Sequence, residues 1–170
     1  MGETSKKASD KSGALSDDVP AAAPYLPPTP TVSTTFPVPP PRVLVAHSDA
    51  GLLRLTRESL EAFLECEVRT TSSALTAFDR ILQEPYRLLI LDLHLPQLPG
   101  ELLYDLVARA YPRVHTGVLT APPVVWLGLP SDLPRQDELT REARTKALLL
   151  TPLNIQRLLD TAAGFLPRKS

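Results

Sequence analysis

From Arg42 onward the chain alternates between two apolar patterns. "RVLVAH" (42–47) is a short run rich in β-branched residues and leucine, apolar enough for a strand covered on both faces. "SDAGLLRLTRESLEAFLE" (48–65) follows, and Leu52, Leu53, Thr56, Leu60, Phe63 and Leu64 recur at the spacing of one helix face. The alternation then repeats. "CEVRTT" (66–71) predicts a more polar strand, and "SALTAFDRILQE" (73–84) a helix with Leu75, Phe78, Ile81 and Leu82 on one face and Ser72 or Ser73 as its cap. "YRLLILDL" (86–93) is a strand that stays apolar until Asp92, and "GELLYDLVARAY" (100–111) is a helix. "PRVHTGVLTAPP" (112–123) is a longer connection than such units need. "PVVWLG" (123–128) predicts a fourth strand, "LPRQDELTREARTK" (133–146) a charged, weakly apolar fourth helix, and "ALLLTP" (147–152) a fifth strand. "NIQRLLDTAAGFL" (154–166) is the last helix, with Asn154 as its cap and Leu153 able to staple onto Leu158.

Regular strand–helix alternation implies a parallel sheet with helices on both faces. The expected fold is α/β, a five-stranded doubly wound, flavodoxin-like three-layer sandwich. In such sheets chemistry sits at the carboxyl ends of the strands, and Asp92 ends a central one.

The first 41 residues differ. "MGETSKKASDKSGALSDD" is polar, and the stretch from Val19 to Pro41 carries nine of the chain's 19 prolines. Proline has no N–H to donate and a fixed φ, so residues 1–41 are expected to be a disordered tail and a semi-rigid spacer, with 42–167 as the domain. "PPTP" and "PVPPP" are weak signals for a ligand of aromatic grooves. Position 6 is Lys6, which spoils a myristoylation match at the N-terminus.

Composition narrows the function. The 170 residues carry a net charge of −1 with both signs scattered, so no basic stripe points to nucleic acid. No apolar run is long enough to span a bilayer, no secretory signal is present, and a cytoplasmic location is expected. Cys66 is the one cysteine; it excludes an internal disulfide and reads as a small buried hydrophobe. Trp126 reads as core, and His94 and His115 complete no zinc-ligand spacing.

"LLILDLHLPQLPG" (88–100) resembles the phosphoacceptor segment of bacterial response-regulator receiver domains. Asp92, Leu95, Pro96 and Gly100 match that pattern of strand, aspartate, x-x-[Leu/Met]-Pro and glycine. "RVLVAHSDAGLLRL" and "LLLTPLNIQRLL" resemble the first and last βα units of the same family. The resemblance covers residues 42–167. It implies a phosphoryl group accepted on Asp92 with the help of Mg²⁺, which takes an all-oxygen shell.

The other active-site positions implied by the resemblance depart from it. The two acidic ligands after the first strand are replaced by His47 and Ser48, and imidazole suits softer metals. Asp49, one residue on, stands where a helix N-cap belongs; the cap reading is favoured over a ligand. The hydroxyl residue after the fourth strand is Gly128, the lysine before a proline after the fifth is Thr151, and the switch aromatic is Leu148. Electrostatic support for phosphate then loses its main sources. Asp92 has a bland role open to it, as an ionised edge carboxylate accepting loop N–H groups. His47 would lie beside it in this fold, either pairing with it as an imidazolium or solvated.

The sequence therefore points to a degenerate pseudo-receiver, not an enzyme and with no cofactor, that acts as a protein–protein interaction module in bacterial signalling. The alternative is a phosphorylatable single-domain regulator using Asp92, with Asp49 and Asp92 holding Mg²⁺. A flavin carrier is the weakest reading, because "AHSDAG" lacks a phosphate cradle. The chain ends at Ser170, so output is expected through a partner protein. The fourth and last helices are the candidate surfaces, including for a homodimer, although a charged helix is commonly just a solvated face.

Overall fold

The computed structural model describes residues 38–141 and 144–170. The tail expected over residues 1–41 thus falls outside the described residues up to position 37. Five strands form one parallel sheet in the order β2-β1-β3-β4-β5, with β1 Arg42–Ala46, β2 Glu67–Thr71, β3 Leu88–Asp92, β4 Val124–Gly128 and β5 Thr145–Leu150. The helices are α1 Ala50–Phe63, α2 Ala74–Gln83, α3 Gly100–Val114, α4 Gln136–Thr140 and α5 Ile155–Ala162. This is the expected doubly wound α/β sandwich.

The unbroken apolar runs are explained by what covers each face. Alternate residues point to opposite faces of a sheet. Leu44, Ala46, Leu89, Leu91 and Trp126 enter the core under α2 and α3, with Ala77, Ile81, Leu103 and Val107. Val43, Val45, Leu88, Ile90 and Leu127 enter the second core, with Leu53 and Leu60 of α1 and Leu158 and Ala162 of α5. All five positions of β3 and of β4 are buried, so neither strand has a polar face to show.

Three helices open on side-chain caps. Asp49 accepts the Leu52 N–H at 3.0 Å, Ser73 that of Thr76 at 3.3 Å, and Asn154 that of Arg157 at 3.1 Å. The expected fourth helix is much shorter than its charged stretch. Pro130–Arg135 forms a 3-10 helix, and only the five residues Gln136–Thr140 are α-helical. Proline at 134 removes a donor, and Leu139 is the buried apolar contact of α4, so little packing holds a longer helix in place. In contrast α3 runs past its expected end, through Pro112 to Val114, because Tyr111 anchors that turn in the core. The last helix stops at Ala162, and the chain then turns back to α1. Glu65 N–H donates to Pro167 O at 2.8 Å and Lys169 N–H to Phe63 O at 3.1 Å.

Candidate functional site

Asp92 ends β3 and is 5% exposed. A carboxylate buried this far needs donors. One is the backbone N–H of His94, 2.9 Å from Oδ1. The second is His47, at the end of β1, whose Nε2 lies 3.5 Å from Oδ2. The tautomer of that ring follows from its other nitrogen. Nδ1 accepts the N–H of Asp49 at 2.9 Å, so in the neutral ring the proton sits on Nε2 and points toward Asp92. The His47 backbone is itself fixed, donating to Thr71 O at 3.1 Å. The structure thus brings His47 to Asp92, the pairing envisaged from sequence, at the long end of hydrogen-bonding distance.

The loop after Asp92 explains the glycine at position 100. A Cβ there would stand 2.2 Å from the backbone oxygen of Asp92 and 3.1 Å from the Trp126 ring, so only glycine lets α3 start against the end of β3. Gln97, in the same loop, has φ of 74°, a left-handed conformation unusual for a side chain of its type.

The remaining positions singled out from sequence lie around this edge. Ser48 and Asp49 are exposed. Asp49 serves as the cap of α1, and the N–H groups of Leu52 and Gly51 hold its carboxyl below the usual carboxylate range. Thr151 donates its hydroxyl to Gly128 O at 3.2 Å, and its N–H reaches the same oxygen at 2.8 Å. Leu148 is buried in the core with Trp126. Trp126, 2% exposed, donates to Thr145 Oγ1 at 3.2 Å and meets Tyr104 edge-on at 5.9 Å, the core role expected. His115 lies away from Asp92, its Nε2 3.0 Å from Ile81 O and its ring against Tyr111.

One pairing escaped the sequence. His94 Nε2 lies 2.8 Å from Oδ2 of Asp132, which also accepts the Leu129 N–H at 2.7 Å. Burial acts to raise the Asp132 carboxyl, but the His94 and Leu129 hydrogen bonds outweigh it, and the group is held below the usual range. The local signal was an aspartate at the third position of a turn opened by Pro130, a capping pattern. Its contact with His94, 38 residues away, left no local trace.

The donors at this edge do not fit a hard divalent cation. Asp92 offers its carboxylate, but the neighbouring His47 presents an N–H rather than an oxygen, and Asp49 is committed to its helix. Among the described residues no group of three or more His, Cys, Asp or Glu side chains is placed to hold a metal. Nor, among them, is any helix long and apolar enough to cross a membrane.

No protein-family model and no curated protein matches the sequence. Solved structures do match. The signal receiver domain of a putative Luxo repressor protein from Vibrio parahaemolyticus aligns at TM-score 0.64 and 21% identity, over 74% of this chain and 89% of that one. The receiver domain of Francisella response regulator 1452 aligns at 0.61 and 18%, over 74% and 95%. The receiver domain of NtrX from Brucella abortus aligns at 0.59 and 23%, over 72% and 95%. The fold is the receiver fold.

Proposed function

We propose that this receiver-fold chain is a pseudo-receiver, a binding module of bacterial signalling that works through a partner protein without phosphotransfer. The observation that carries the reading is the surroundings of Asp92. A phosphoryl group and its cation need positive charge and hard oxygen ligands. The positions available supply His47, Ser48, Gly128 and Thr151, and Asp92 itself is engaged by His47 and the His94 N–H. Thr151 spends its hydroxyl on Gly128 O, so it lends neither charge nor a free donor.

The competing reading is a phosphorylatable regulator accepting phosphate on Asp92, with Asp49 as the second acid. It draws on the retained aspartate and on the glycine that brings α3 against it. Millimolar Mg²⁺ with beryllofluoride separates the two. A ligand that binds only the native state stabilises by about 2.7 kcal/mol at a hundredfold excess over its Kd. The expected result is no shift in melting temperature and no phosphate incorporated from acetyl phosphate. A stabilisation that disappears in Asp92→Asn overturns the binding-module reading and installs the phosphorylatable one.

A further inference from the structure

β2 forms one edge of the sheet. In a parallel ladder, alternate residues turn their N–H and C=O to opposite sides of the strand. Glu67 N–H donates to Pro41 O at 3.0 Å and His47 N–H to Thr71 O at 3.1 Å, so Glu67 and Thr71 face β1. Val68 and Thr70 therefore face outward, where a further strand would add. Side chains from two different helices hold those positions. The Val68 N–H donates to Oε1 of Glu61, on α1, at 3.1 Å. Nη1 of Arg80, on α2, donates to Thr70 O at 2.8 Å. Arg57, one turn before Glu61, donates to its other oxygen at 3.3 Å and so fixes the carboxylate in place.

We propose that Glu61 and Arg80 are plugs on the β2 edge, and that they keep β2 from pairing antiparallel with β2 of a second copy of this chain. Water satisfies exposed strand-edge groups unaided, so the need for partners does not by itself call for a carboxylate and a guanidinium from separate helices. Space does not prevent strand addition. A groove of about 510 Å³, lined by Leu53, Arg57, Glu61 and Thr70 among others, lies beside this edge. Charge favours addition. With Val68 opposite Val68 about a two-fold axis, Glu67 of each copy stands opposite Arg69 of the other, and opposite charges across strands stabilise the pair. Arg69 is exposed and Glu67 half-buried, and the two already pair within one chain at 2.8 Å. Val68, Thr70 and Thr71 are β-branched and suit a paired strand. Main-chain hydrogen bonds of this kind are open to any extended segment, so an unplugged edge would divert a binding module to its own copies. The inference goes beyond the reading of Asp92 and does not depend on it.

The experiment is sedimentation velocity on the full chain from micromolar to millimolar concentration. Glu61→Ala/Arg80→Ala removes both plugs. Its weight-average mass is expected to climb with concentration toward twice that of the wild-type chain. Glu61→Gln keeps an oxygen acceptor for the Val68 N–H and is expected to sediment as wild type. Adding Arg69→Glu to the double variant sets carboxylates against each other across the paired strands, and is expected to abolish the gain. A double variant that sediments as wild type does, or a gain that Arg69→Glu leaves untouched, overturns the proposal. Should the double variant fail to fold, Glu61→Ala alone frees the Val68 N–H. Hydrogen exchange at that amide is then expected to be faster than in wild type at low protein concentration and to slow as concentration rises, because pairing replaces the lost acceptor. Exchange that does not change with concentration overturns the proposal.

Discussion

A methyl group at position 100 has nowhere to go. With a Cβ only 2.2 Å from Asp92 O, the collision is with backbone, which cannot swing aside as a side chain would. Gly100→Ala is expected to cost about 2–3 kcal/mol or more in urea melts, at the upper end for overpacking. The opposite sign is expected at Thr56. Its hydroxyl is fully buried in α1 without a hydrogen-bond partner among the described residues. Thr56→Val removes that unpaired group while keeping the shape, so the melt is expected to show equal stability or a gain of about 1 kcal/mol. Asp132 makes a pH prediction. Its carboxyl is held below the usual range in the folded chain, so its contribution is present above the unfolded value, near pH 4, and is lost as pH falls through the lower folded value. The stability gap between wild type and Asp132→Asn should be open at pH 7 and narrow toward pH 3. Residues differed in how much the sequence disclosed. Asp92, Asp49 and Gly100 were visible because their roles are local or motif-borne. The Asp132–His94 pair was not, because it joins the loop after β3 to the 3-10 helix after β4, which only the sheet brings together.

Among elements, β3 was the most legible and α4 the least, and the reason is the same in both. A strand covered on both faces writes an unbroken apolar run, and Leu88–Asp92 shows no exposure at any position above that of its last residue. The expected consequence is that Leu89→Ala and Leu91→Ala each cost about 2–5 kcal/mol, the range for truncating a core leucine. They enter the core under α2 and α3, so each leaves its cavity there. A loss near zero in both urea melts would show that β3 is not central. The segment from Leu133 to Lys146 reads as helix from composition, but charged residues with one buried leucine supply little to hold a helix against the sheet. The outcome is a 3-10 turn and five α-helical residues tied down by the Arg135–Glu101 pair. The exposed leucines of α2 and α3, Leu75, Leu102 and Leu106, show the converse limit. Helical spacing puts apolar residues on one stripe, yet it does not say how far around the helix the sheet will reach.

At the scale of the whole molecule the two ends of the domain contrast. The domain opens with Val38, Pro39 and Pro40 exposed, and Pro41 O accepts the Glu67 N–H at 3.0 Å. It ends with a segment stitched to the start of β2. Leu166 is 3% exposed in the core beneath α1 and α5, Leu64 bridges antiparallel to Arg168, and Lys169 reaches back to the carbonyl of Glu61. The pattern of helix residues alone ended the last element near Leu166 and did not disclose this return, because backbone pairing of so few residues has no periodicity to read. It makes an asymmetric prediction. Removing residues 1–37 deletes a polar and proline-rich composition with little apolar surface to bury, and the melting temperature is expected to stay within a few degrees. Removing residues 164–170 exposes the pocket left by Leu166 and frees the Glu65 and Lys169 pairings, and is expected to cost at least the 2–5 kcal/mol of a deleted core leucine. Calorimetry on the two truncated chains decides it. If the C-terminal deletion were as silent as the N-terminal one, the return strand would be an ornament on the fold. If it unfolds the chain, the domain is held shut at the end remote from Asp92, and changes at the carboxyl edge of the sheet can be made without loosening the end that secures it.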